Sequence, residues 1–154
     1  MTDDELIAQF ESGSIPATAF HHADHVRTAF AYLRQCPALE ALQRFSSGLK
    51  QFAKAQGKDN LYHETITWAY LFLINERISR ASNMLTWEQF ASDNPDLLTW
   101  KDSVLKRYYT DEILRSDLAK RVFVFPDKVS PDKLFRIRVG NTNQYFRSTP
   151  ITLP

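Results

Sequence analysis

A single cysteine among 154 residues, Cys36, excludes an internal disulfide and agrees with a reducing compartment. It reads as a small apolar residue at a helix end. Only four glycines occur, and they are scattered, so no glycine-rich loop exists to cradle a phosphate. Charge of one sign is also missing: 19 Lys and Arg against 18 Asp and Glu leave a net charge of +1. No overall field therefore recruits nucleic acid or an anionic membrane surface. Long hydrophobic runs are absent too. The longest nearly apolar stretch, Ile66 to Ile74, falls well short of the roughly 17 to 25 residues a membrane helix needs. The acidic start from Met1 to Gln9 lacks the basic and apolar regions of a signal peptide. The expectation is a soluble, cytoplasmic protein.

What the chain has is length for one domain and a generous aromatic content of 13%. Its organising stretch is LYHETITWAYLFLINER, Leu61 to Arg77. At about 100° per residue its apolar side chains point to every side, which predicts a buried central helix. Before it, DELIAQFE from Asp4 to Glu11 predicts a short amphipathic helix capped by Thr2 or Asp3 and ended near Gly13. A second helix is expected from Ala19 to Arg34 and a third after Pro37, burying Leu39, Leu42, Phe45, Leu49 and Phe52 and stopping at Gly57. Asp59 or Asn60 is the expected cap of the central helix. After a break at Ser82 and Asn83, Thr86 and Gln89 form a capping-box pattern for a short helix that stops before Pro95. Further helices are expected over Trp100 to Tyr109 and through DEILRSDLAKR.

From Val122 the pattern changes. LFRIRV alternates apolar and basic residues, and GNTN is a turn signal, so Leu134 to Arg147 reads as a hairpin, a tail wrapped over the bundle, or a segment exchanged with a second copy. The expected fold is an all-α, single-domain helical bundle over residues 1–127, with an extended or hairpin C-terminal tail over 128–154.

Polar residues stand out against this frame. Short connections make helices two, three and four run up, down and up, so the starts of helices two and four share one end of the bundle. All four histidines lie at those starts: His21, His22 and His25 on one, His63 on the other. Helical phase turns His22 and His25 inward and His21 outward, and their i, i+3 spacing puts His22 and His25 on neighbouring turns. Imidazole is the commonest metal ligand, so His22, His25 and His63 with Glu64 form a candidate set for zinc, iron, nickel or manganese. In that arrangement Glu64 is the fourth ligand or a general base, while Tyr62, Thr65 and Thr67 hold the ligands by hydrogen bonds. The competing reading is structural: the same groups satisfy one another and the free backbone N–H groups of the first helical turns, tying two helices together. The pattern is short of HExxH, because helix four has HE and no second histidine. Lys106 and Arg107, beside Tyr108 and Tyr109, read as a solvated basic pair rather than an anion site.

FHHADHV and YHETITW resemble an uncharacterised family of small helical bacterial proteins that carry H-x-x-H followed about forty residues later by Y-H-E-T-x-T. The matching positions are His22 and His25, then Tyr62, His63, Glu64, Thr65 and Thr67. The resemblance extends through NPDLL and RYYTDEIL to FVFPD, and it implies a helical fold with a real polar site but no particular activity. The expectations are therefore two. One is a metal-binding protein, extended to a metal-dependent enzyme acting on a small molecule. The other is a non-catalytic binding or interaction protein whose His/Glu cluster is structural. Homodimerisation through the tail is the expected mode of self-association.

Overall fold

The computed structural model describes residues 1–81 and 85–128, and the backbone of 135–139 and 142–146. Its helices are α1 (Asp3–Glu11), α2 (His22–Gln35), α3 (Ala38–Ala55), α4 (Glu64–Arg80), α5 (Trp87–Asp93), α6 (Asp111–Arg115) and α7 (Asp117–Arg121). An antiparallel hairpin follows, β1 (Phe135–Val139) and β2 (Thr142–Phe146), in register from Phe135 opposite Phe146 to Val139 opposite Thr142. The fold is all-α with a hairpin in the C-terminal tail. The expected break at Ser82 and Asn83, and any exchange of the tail between copies, lie outside the described residues.

Local chemistry accounts for most helix ends. Thr2 and Glu5 close a capping box on α1, and Thr86 and Gln89 do the same for α5. Gly13 and Gly57 adopt φ of +69° and +64°, the left-handed geometry that ends α1 and α3. In both places the next N–H reaches back five residues, Ser14 to the Gln9 carbonyl and Lys58 to the Ala53 carbonyl, completing a Schellman motif. Gly48, inside α3, has a different reason: a Cβ there would collide with the Phe10 ring of α1.

The centre of the bundle is shared by α2 and α4, which pack against each other, and α4 also meets α3 and α7. Val26, Thr28, Ala29, Phe30, Ala31 and Tyr32 are all buried, and α2 packs against α1, α3 and α4. Alanines on this helix let its neighbours approach closely, whereas α4 turns Phe72 outward, 37% exposed. Leu39, expected in the core, is 76% exposed at the start of α3.

Three boundaries differ from the sequence expectations. Asp59–Leu61 forms a separate 3₁₀ turn, so α4 begins at Glu64 and its N-cap is His63 rather than Asp59 or Asn60. The stretch from Trp100 to Tyr109 is helical only as the 3₁₀ turn Val104–Arg107, capped by Ser103. DEILRSDLAKR breaks at Ser116, whose hydroxyl donates to the Ile113 carbonyl at 2.7 Å and accepts from Ala119 N at 3.1 Å, ending α6 and starting α7. The 3₁₀ turn Pro95–Leu97 is fixed by Arg77, which grips both oxygens of Asp96 at 2.6 and 2.8 Å and the Asn94 side chain at 2.9 Å. This anchor buries Leu97 against the bundle.

Candidate functional site

Because α2, α3 and α4 alternate in direction, the starts of α2 and α4 meet at one end, beside the end of α3. Between them lies a cavity of about 510 Å³, lined by His22, His25, Tyr62, His63 and Thr67 among apolar residues that include Phe20, Phe45, Phe52, Ile66 and Ile74. The expected convergence of His22, His25 and His63 on one cavity is thus present. Glu64 is not among its lining residues. His21 stands outside, as helical phase requires, with its side chain 73% exposed.

Each of the three inward histidines has a different environment. His63 uses both ring nitrogens: Nδ1 accepts the Ile66 N–H at 3.3 Å, and Nε2 lies 2.8 Å from the Leu114 carbonyl. A carbonyl only accepts, so Nε2 carries the proton and no lone pair is left for another partner. His22 also places Nε2 against a carbonyl, that of Leu97 at 2.9 Å, which leaves Nδ1 as an unprotonated acceptor. Its ring packs edge-on to Tyr70 at 5.0 Å and near Trp100 at 5.2 Å. His25 makes no hydrogen bond to any described residue, and its ring lies against Phe20 with centroids 4.3 Å apart. Burial lowers the pKa of all three; for His25, where His22 adds a smaller unfavourable charge effect, it falls to about 4. Near neutral pH the cavity is lined by uncharged imidazoles.

Of the remaining expected site residues, Glu64 and Thr65 are committed to the protein itself, whereas Tyr62 and Thr67 line the cavity. Glu64 pairs with Lys50 at 3.3 Å across the α3–α4 contact. Thr65 is fully buried, and its hydroxyl donates to the Val122 carbonyl at 2.9 Å while accepting from Val124 N at 3.0 Å. The Tyr62 ring sits under the Lys50 ammonium at 4.6 Å. Its hydroxyl is buried without a hydrogen bond of good geometry, beside Ser46, Thr67 and Glu64, and burial raises its pKa to about 12. Thr67 is buried and lines the cavity.

The metal set expected from the sequence is therefore not assembled. Among the described residues no group of three or more His, Cys, Asp or Glu side chains is placed to hold an ion. The physical reason is that His63 has no free lone pair and Glu64 is drawn toward Lys50. The donors present do not fit a zinc, iron, nickel or manganese centre built from these four residues.

Three residues that shape this end of the molecule escape sequence reasoning. Lys50 fixes Glu64, Phe20 backs His25, and Trp100, 56% exposed, stands at the cavity beside His22. Phe20 opens the FHHADHV motif and so has a local signal, whereas Lys50 and Trp100 reach their partners from segments that no short periodic pattern connects. No described helix is long and apolar enough to cross a membrane. No family model matches the chain, and neither the curated proteins nor the solved structures contain a significant match to it.

Proposed function

We propose that the protein binds a small, largely apolar molecule in the cavity between α2, α3 and α4, and that it does so without a metal ion. The observation that supports this is the cavity itself. A volume of about 510 Å³ lies in the range of small-molecule sites, and its walls combine aromatic and aliphatic side chains with a few polar groups. Two of those groups, His22 Nδ1 and the His25 ring, have no hydrogen-bond partner among the described residues. An apolar ligand gains by leaving water, and the unused imidazole nitrogens supply orientation. The proposal follows the binding alternative rather than the metal-enzyme one, since His63 and Glu64 are tied to the protein.

The test is titration of the full chain with the uncharged fluorophore N-phenyl-1-naphthylamine. Saturable enhancement of its emission is expected, together with a rise in Tm that grows with probe concentration. Ala17, exposed and at the cavity, is the position for a blocking variant: Ala17→Trp should abolish the enhancement while leaving the far-UV circular dichroism unchanged. Enhancement that does not saturate, or that survives Ala17→Trp in full, would remove the cavity as the binding site. Zinc addition should shift Tm by less than a degree, and a rise of several degrees would restore the metal reading.

A further inference from the structure

The two open histidines differ in what they can offer a ligand, and this difference selects among ligand chemistries. At His22 the Leu97 carbonyl, 2.9 Å from Nε2, fixes the proton on that nitrogen. The nitrogen left over is an acceptor and cannot donate. His25, one helical turn on, keeps both ring nitrogens unbonded and can present a donor, an acceptor or both. Both rings line the cavity, and the buried, unpartnered polar atoms of the described residues include Tyr62 Oη and Ser46 Oγ but no histidine nitrogen. Tyr62 thus contributes its ring to the wall while its hydroxyl is turned to Ser46, Thr67 and Glu64.

Charge narrows the choice further. Among the described residues no carboxylate lines the cavity, and the single ammonium there, Lys58, is on an exposed residue just beyond α3. A cation entering the cavity would exchange its hydration for neutral imidazole acceptors with no counter-charge, and an anion held beside His22 would face a lone pair. We infer that the ligand is an uncharged molecule with an aromatic or aliphatic body and a hydroxyl or N–H group, which donates to His22 Nδ1 while His25 pairs with the same group. This assignment rests on the reading of the cavity as a ligand site.

Calorimetric titration of the full chain at pH 7.5 with four compounds of one shape tests it: 4-phenylphenol, its methyl ether, biphenyl-4-carboxylate and 4-phenylbenzylammonium. The phenol is expected to bind about tenfold more tightly than the ether, which keeps an acceptor and loses the donor. The carboxylate and the ammonium should bind more weakly than the phenol by at least the same factor. His25→Phe should reduce the preference for phenol over ether without abolishing it. A measurement independent of any variant uses ¹⁵N-labelled histidine: the free protein should show His22 protonated at Nε2, with its Nδ1 resonance moving when 4-phenylphenol is added. Equal affinity for phenol and ether, tightest binding of either ion, or a His22 protonated at Nδ1 would each overturn the inference. If N-phenyl-1-naphthylamine still binds in those cases, the cavity reading survives. If it and all four biphenyls fail to bind, both fall together.

Discussion

The starts of α2 and α4 carry the same kind of side chain at the same end of the bundle, yet they are put to opposite uses. At the start of α4, His63, Glu64 and Thr65 are spent on the fold, while Thr67 lines the cavity. His63 caps the helix and holds the Leu114 carbonyl, Thr65 holds residues 122 and 124, and Glu64 holds Lys50. At the start of α2, His22 gives one nitrogen to Leu97 and keeps the other, and His25 keeps both. A polar group serves stability when a backbone partner can reach it, and it remains available to a ligand when none can. The chain after Thr110 makes part of this difference: Leu114 meets His63, and the segment Val122 to Lys128 meets Thr65. That segment is fastened there by Thr65, by the Tyr109 hydroxyl on the Val124 carbonyl at 3.0 Å, and by Asp127 on Thr110. Phe123 completes the join by stacking on Trp68 with centroids 5.5 Å apart.

The comparison is broken most severely by His63→Ala. That change removes a helix cap and leaves the Leu114 carbonyl without its donor, a cost of about 3 kcal/mol. For a domain of this size, Tm should fall by roughly 6 to 12 °C in a thermal melt. His25→Ala removes no hydrogen bond, so its loss should be smaller than that of His63→Ala; equal losses would erase the contrast between the two helix starts. Thr65→Val is the next strongest, at about 2 kcal/mol, since the shape is kept while the Val122 carbonyl and the Val124 N–H both lose their partner. Limited proteolysis of this variant should open cleavage after residue 121 before the helices melt. Cleavage unchanged from the parent protein would mean that Phe123, Tyr109 and Asp127 hold the segment without Thr65.

Much of this arrangement is legible in the sequence, and the illegible part has a common cause. Thr2 with Glu5, Thr86 with Gln89, and the glycines at 13 and 57 act within six residues, so they mark helix ends correctly. The alternation of α2, α3 and α4, and with it the meeting of His22, His25 and His63, follows from short connections. What the sequence does not expose is which ring nitrogens remain free. The partners of His22 and His63 are carbonyls 75 and 51 residues away, and a backbone carbonyl has no sequence signature. The expected ligand set is not grouped among the described residues because His63 spends Nδ1 on the Ile66 N–H and Nε2–H on the Leu114 carbonyl, and Glu64 turns to Lys50. The split of DEILRSDLAKR escapes for a related reason, because Ser116 fits a helix interior as well as a cap until Ala119 and Ile113 are seen to share its hydroxyl.

Acid sharpens the comparison by acting on the side chain that the fold leaves alone. The pKa of His25 is about 4 in the folded protein and about 6.5 in the unfolded chain, where no burial opposes the charge. Between these values the unfolded chain binds the proton first, so stability is complete above pH 6.5 and declines as pH falls toward 4. The contribution of this residue between pH 7 and pH 5 is about 2 kcal/mol. His22 and His63 shift in the same direction and add to the slope. His25→Gln should therefore flatten the acid side of the Tm profile without removing it, and a variant as acid-sensitive as the parent would place the titration elsewhere.

Trp100→Ala is the smallest of these perturbations and the most informative about the open end of the bundle. The indole is 56% exposed and makes its ring contact with His22, so its loss should cost the fold less than about 1 kcal/mol. Its position beside the cavity gives it a second consequence: bound N-phenyl-1-naphthylamine would lose one aromatic wall and dissociate faster. The expected result is a near-unchanged melt with affinity for the probe reduced several-fold. The same substitution at Trp68, which stacks on Phe123 away from the cavity, should do the reverse, lowering Tm and sparing the probe. If the two substitutions gave the same pattern, the division of this end of the molecule into a fastened half and an open half would not hold.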